Sequence, residues 1–292
     1  MSGSGPAADP AAGSAAGPAA DVEARLRDAA FGAHPGSWPL PTAATPYQLW
    51  LRAVAAGGQG RYASAYTDLA RLRGRVATGP LASLAYSTRG SFLRQLGWHT
   101  LARGWDGRAL ALAGADPHAR VDALLGLAAD ALGVGRFAAA GTLLARVDAT
   151  LEAADLPEVS ADRLAVRRRW VGAELAMASG DGKTAVGNAR EAVERARRMA
   201  GGSVRHRVKS DVVLAAALCS SGRVDRARDV AHAALDDAGY HRLIPLRWAL
   251  ACLLMDTGSV TVEAQGLPEL SKIRDICAGE VQSAGGTWRV AQ

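Results

Sequence analysis

The chain has little from which to build a sheet. Aromatic residues make up only 5% of its 292 residues. Segments that alternate valine, isoleucine or threonine with polar residues are absent, so strands lack their usual material. Cysteine is scarce as well. Cys219, Cys252 and Cys277 are far apart and odd in number, which provides neither a disulfide framework nor a CxxC metal half-site. Each sits in a helical, mostly apolar context, as a small core residue does. No segment approaches the roughly 18 uncharged apolar residues of a bilayer span; VVLAAALCSSG, from Val212 to Gly222, is too short. The opening MSGSGPAADPAAGSAAGPAA has neither a basic start nor an apolar run, so a secretory signal is not expected. Its Gly, Pro, Ser and Ala content predicts a disordered leader over 1–20. We therefore expect a cytoplasmic protein that makes no membrane contact.

Catalytic constellations are missing too. The histidines His34, His99, His118, His206, His232 and His241 form no HxxxH or HExxH pair, and none stands at ligand spacing from a cysteine. There is no GxSxG elbow, and the carboxylates sit singly on helix faces. Gly58-x-Gly60-x-x-Ala63 fits a dinucleotide loop in spacing, but Leu49, Ala53 and Ala56 before it recur at helical steps, where a buried strand is required. Gly182-Lys183-Thr184 resembles a P-loop, yet Met177 stands where the first glycine should be. We expect no catalytic residue, no cofactor and no metal, and read the chain as non-enzymatic.

What the sequence does contain is a repeated corner. Gly60-RYAS-Ala65, Gly97-WHTL-Ala102, Gly135-RFAA-Ala140, Gly180-DGKT-Ala185 and Gly222-RVDR-Ala227 share one spacing, and a weaker sixth lies at Gly258 with Glu263 in place of the alanine. Seven residues before these glycines stand Ala53, Gly90, Ala128, Ala173, Ala215 and Ala251. A small residue there lets two helices approach closely. Ala109, Ala192 and Ala234 continue the same face two turns beyond their corner alanines. Such a corner, Gly-x-aromatic-x-x-Ala with a small residue two turns earlier, resembles that of tetratricopeptide (TPR) repeats. Gly60-Arg-Tyr62 and Gly135-Arg-Phe137 match well, whereas His99, Gly182 and Val224 replace the aromatic.

The resemblance covers about residues 46–260 and implies an all-α, TPR-like α-solenoid of about five to six helix pairs. Inner helices are expected near 46–57, 81–96, 118–133, 160–179, 204–220 and 242–257, each followed by an outer helix. A C-terminal capping helix follows, with Pro268 at its first position and Leu270, Ile273, Cys277 and Val281 on one stripe. The domain plan is a leader over 1–20, a short helix and linker over 21–45, the repeat domain over 46–284 and a tail over 285–292. Stacking buries what no pair can bury alone and leaves a concave groove.

Two surfaces are candidates for function. The stripe thirteen, ten, six and three residues before each corner glycine should face the groove. It holds Ser87, Ser91, Arg94, Asp122, Arg167, Glu174 and Lys209. Some of these could pair between neighbouring helices, for example Arg94 with Asp122; alternatively Arg94, Arg167 and Lys209 could hold a partner's carboxylates. The second surface is a basic segment from Arg163 to Lys209, which carries twelve basic residues against four acidic ones in a chain of net charge +6. It includes Arg163, Arg167, Arg168, Arg169, Arg195, Arg197, Arg198, Arg205 and Arg207. These features lead us to expect a non-catalytic protein–protein interaction scaffold or adaptor, binding a protein or peptide segment, acidic ones included. The alternative is a regulatory nucleic-acid-associated protein that uses the basic segment.

Overall fold

The computed structural model describes residues 18–199, 201–258 and 266–289. Among these residues the chain forms thirteen α-helices and no strand. They are α1 (Pro18–Phe31), α2 (Pro46–Gly58), α3 (Tyr62–Arg75), α4 (Pro80–Gln95), α5 (His99–Leu112), α6 (Pro117–Gly133) and α7 (Phe137–Ala153). These are followed by α8 (Glu158–Ala178), α9 (Gly182–Arg198), α10 (Val204–Ser220), α11 (Val224–Tyr240), α12 (Ile244–Asp256) and α13 (Gly266–Ser283). Most of the expected leader lies outside the described residues, as does the stretch that holds Glu263. No helix of the described residues is long and apolar enough to cross a membrane.

The corners share one local geometry. Gly60, Gly97, Gly135, Gly180 and Gly222 all have φ between 75° and 87°, the left-handed region that only glycine enters without a side-chain clash. At each of them the next residue donates its N–H to the carbonyl five back, as in Arg61 to Ala56, Trp98 to Leu93 and Arg136 to Ala131. Asp181 to Ala176 and Arg223 to Leu218 complete the set. This is the Schellman closure, which satisfies carbonyls that the ending helix would leave orphaned. Starts are set in the sequence too: Pro46, Pro80 and Pro117 open α2, α4 and α6, where a missing N–H costs nothing.

Packing follows chain order, each helix against its neighbours, with the even-numbered helices α2 to α12 also packed on one another in succession. Ala53, Ala128, Ala173, Ala215 and Ala251 are fully buried, as are the corner alanines Ala65, Ala102, Ala140 and Ala185. The inner helices run side by side in the same direction, because their cross-contacts keep a near-constant sequence offset. Ser87 meets Asp122 and Arg94 meets Asp130, 35 and 36 residues on; His118 meets Arg163 and Asp122 meets Arg167, 45 residues on in both cases. In α13, Cys277 and Val281 are fully buried while Leu270 and Ile273 pack on the core beneath α12.

Both ends of the stack fold back onto it. Ala63 N–H donates to Ala284 O at 2.7 Å and Arg289 N–H to Leu96 O at 2.9 Å, so the segment after α13 docks on the first two corners. Trp288 stacks on Trp248 with ring centres 4.2 Å apart. At the other end, α1 packs on α2 and reaches α10, and Val204 N–H donates to Gly32 O at 3.2 Å. Gln59 Nε2 donates to Pro35 O and Ser37 O, which anchors the loop that leads to α2.

Candidate functional site

Three of the residues expected to face the groove, Ser87, Asp122 and Arg167, form a ladder between adjacent inner helices. Ser87 Oγ of α4 donates to Asp122 Oδ2 of α6, whose other oxygen accepts from Arg167 Nη1 of α8. Burial pushes the Asp122 carboxyl up, but Arg167 and then Arg163 outweigh it and hold the group at about 2. Lys209 Nζ of α10 reaches Glu174 Oε1 of α8 at 3.4 Å, with about a third of each side chain exposed. Ser91 is half-buried, and no side-chain bond of its own is seen among the described residues. Ser91, Glu174 and Lys209, together with part of Arg167, still meet solvent.

The suggested Arg94–Asp122 pair does not form. Arg94 Nη1 instead binds Asp106 of α5, Asp130 Oδ1 of α6 at 3.1 Å and Gly126 O at 3.3 Å. Helical rise explains the correction. Arg94 is the fifteenth residue of α4 and Asp122 only the sixth of α6, so between parallel helices they stand about 13 Å apart along the axis. Asp130, the fourteenth residue of α6, is level with Arg94. Asp106 and Asp130 are fully buried. Burial raises the Asp106 carboxyl well above its usual range, Arg94 opposes the rise and the Asp130 charge reinforces it. Asp106 Oδ1 and Asp130 Oδ2 have no hydrogen-bond partner among the described residues.

The basic segment does not form one field. Arg168 binds Asp148 through two parallel bonds of 2.7 Å. Arg169 and Arg195 share Glu191 at 3.1 and 2.9 Å, Arg207 holds Asp237, and Arg198 lies 3.9 Å from Glu194. A count by position missed Asp122, Asp148 and Asp237, which lie outside the segment but are brought to it by neighbouring helices. A cleft of about 410 Å³ between α7, α8 and α9 shows the result. Arg168, Arg169 and Arg195 line it together with Asp148 and Glu152, and with Glu191 bound to two of them the cleft is neutral. Arg197 is exposed and has no ionic partner among the described residues.

Arg163 and Arg205 face inward. Arg163 is nearly buried, and its guanidinium lies 4.5 Å from the Phe31 ring centre and 5.7 Å from that of Trp50. Its Nη2 contacts His118 Nε2. Arg205 is 5.9 Å from the same Phe31 ring and donates to Val54 O at 3.3 Å. His206 lies between Phe31 and Trp170, stacked on the latter at 5.3 Å, and its Nδ1 meets Ser203 Oγ at 2.8 Å. Trp170 Nε1 donates to Ser210 Oγ. Burial, then the neighbouring arginines, push His206 well below its usual value, and burial followed by Arg163 pushes His118 to about 4. The short helix expected within 21–45 is α1, which starts at Pro18; its contact with α10 was not expected. The signal was Phe31, one of only three phenylalanines, ending an amphipathic turn with Leu26, Ala29 and Ala30 buried.

No protein-family model matches the chain, and no curated protein sequence matches it.

Proposed function

We propose that the chain is a TPR-like, non-catalytic interaction scaffold that takes a helical or extended partner segment on its inner face. The observation that carries this reading is that the inner face already holds such a segment. Helix α1 lies against α2 and α10, and its Phe31 is inserted among Trp50, Arg163, Arg205 and His206. A surface of parallel helices with alternating apolar and charged side chains accepts an amphipathic segment in this way. The partner lies beside α1, over Ser91, Glu174 and Lys209. The nucleic-acid alternative is disfavoured by the pairing of Arg168, Arg169, Arg195 and Arg207 with carboxylates.

A photo-crosslinking residue at position 91 tests this, with exposed Arg146 on α7 as the outer-face control. Crosslinks to one protein from position 91 and none from 146 support the reading. Capture from 146 alone moves the interface to the outer face, and capture of nucleic acid from position 91 ends the scaffold reading.

A further inference from the structure

Three guanidinium groups gather on the inner face around the C-terminal end of α1. Arg163 and Arg205 both lie within 6 Å of the Phe31 ring centre, and Arg167 follows Arg163 one turn along α8. Asp122 is the carboxylate that reaches them, and it is bound by Arg167. His118 and His206 are held neutral by burial and by these same arginines. The cluster therefore sets three positive charges against one negative. The carbonyl end of α2 offsets part of the remainder through Val54 O, and such an end acts as about half a charge. An excess of more than one positive charge is left, more than one carboxylate would neutralise. Packing over Phe31 and Trp50 accounts for the position of Arg163, but it supplies no counter-charge.

The hydrogen-bonding capacity is also unspent. Each guanidinium offers five N–H groups. Among the described residues Arg205 donates to Val54 O, Arg163 contacts His118, and Arg167 binds Asp122. None of their other nitrogens is among the fully buried atoms without a partner, and the Arg167 side chain is 21% exposed, so the cluster reaches solvent through Arg167. Planar forks of this kind bind oxyanions through paired bonds, which a lysine cannot do.

We propose that Arg163, Arg167 and Arg205 form a binding site for the phosphoryl group of a small phosphorylated molecule. A phosphoryl dianion matches the charge excess, and its three oxygens can take a fork from each arginine. The three arginines contact side chains or backbone of α1, α2 and α6, an enclosure that suits a compact group rather than a continuous nucleic-acid backbone. The inference does not rest on the scaffold reading, since a small molecule would fill the site without any protein partner.

Calorimetric titration of the full chain with inorganic phosphate, at fixed ionic strength and pH 7.5, tests it, with acetate as the carboxylate probe. We expect one saturable site for phosphate and a markedly weaker response to acetate. Arg205→Gln should weaken phosphate binding about tenfold or more, as loss of charge-assisted hydrogen bonds does. Arg197→Gln, an exposed arginine on α9, should stay within about twofold. Arg205→Lys keeps the charge without the fork and should lose affinity while circular dichroism shows native helicity. Should Arg205→Gln fail to fold, this lysine variant decides alone. Absence of a saturable heat would overturn the site, as would acetate binding equal to phosphate, equal losses in Arg197→Gln, or unchanged affinity in Arg205→Lys.

Discussion

Asp106 occupies the notch that Gly90 leaves in α4: a β-carbon on Gly90 would overlap the Asp106 carboxylate. Gly126 of α6 does the same from the other side. Both glycines sit inside helices, where glycine normally costs about 1 kcal/mol relative to alanine. Gly90→Ala and Gly126→Ala should therefore destabilise the chain by about 1–3 kcal/mol, the usual range for overpacking. Gly107→Ala on α5, with nothing within 4 Å, should instead stabilise by up to about 1 kcal/mol. Urea melts of the three variants check the contrast in sign.

Of the two acids on Arg94, the carboxyl in that notch is raised more strongly than that of Asp130. Burial raises it and Asp130 raises it further, while Arg94 cannot serve both as full charges. Asp106→Asn keeps the shape and a donor, so it should change stability at pH 7 by less than about 1 kcal/mol. Arg94→Leu leaves Asp130 buried without a cation and should cost about 3–5 kcal/mol. Equal losses in the two variants would show that Asp106 is ionised.

Acidity gives a separate handle through the inner-face histidines. His118 is depressed to about 4, by burial first and then by Arg163, with Asp122 and Asp116 opposing and Arg167 adding to the shift. His206 is depressed well below 6.5 by burial and by Arg205, Arg163 and Arg167. In both, the unfolded chain binds more protons, so their contribution is complete above about 6.5 and is lost as pH falls through the folded values, about 4 for His118. Together they give a slope of at most about 2.7 kcal/mol per pH unit. Asp106 acts in the opposite direction: its folded value is raised, so its contribution is present below 3.8 and lost as pH rises through the folded value. Denaturant midpoints should fall between pH 7.5 and 5, and His118→Gln should flatten that slope. An unchanged slope would show that His118 binds protons equally in the folded and unfolded chain.

The helices and corners were legible because they rest on local rules. Gly60, Gly97, Gly135, Gly180 and Gly222 needed left-handed φ, and Ala53, Ala128, Ala173, Ala215 and Ala251 needed close approach; spacing along the chain displays both. The candidate site was only half legible. The stripe from Ser87 to Lys209 was found on the inner helices, but which of its residues pair depends on axial level between helices. The charge of the 163–209 segment was misleading for a related reason, since Asp122, Asp148 and Asp237 are close in space and distant in sequence. Gly90 and Gly126 were readable in principle: glycines inside helices of an alanine-rich chain mark a close approach. The placement of α1 on the inner face had only Phe31 to announce it.

Pairing between helices changes what charge reversal should do. Arg167 and Arg198 are equivalent in a count of basic residues, but only Arg167 is tied to a buried carboxylate. Its partner Asp122 also accepts from Ser87 and has a side chain only 10% exposed. Arg167→Glu would bring a second carboxylate against Asp122 in place of the guanidinium that binds it, so one of the two acids must take up a proton or leave the interior. Breaking a pair this buried costs about 3–5 kcal/mol, and the loss should shrink as pH falls and the acids protonate. Arg198 is 74% exposed and 3.9 Å from Glu194, a surface pair that contributes little. Arg198→Glu should therefore stay within about 0.5 kcal/mol at any pH. Thermal melts of both variants at pH 7.5 and 4.5 separate the two cases. If Arg167→Glu were as benign as Arg198→Glu, the Ser87–Asp122–Arg167 ladder would not be a fixed part of the fold, and the inner face would be looser than its contacts imply.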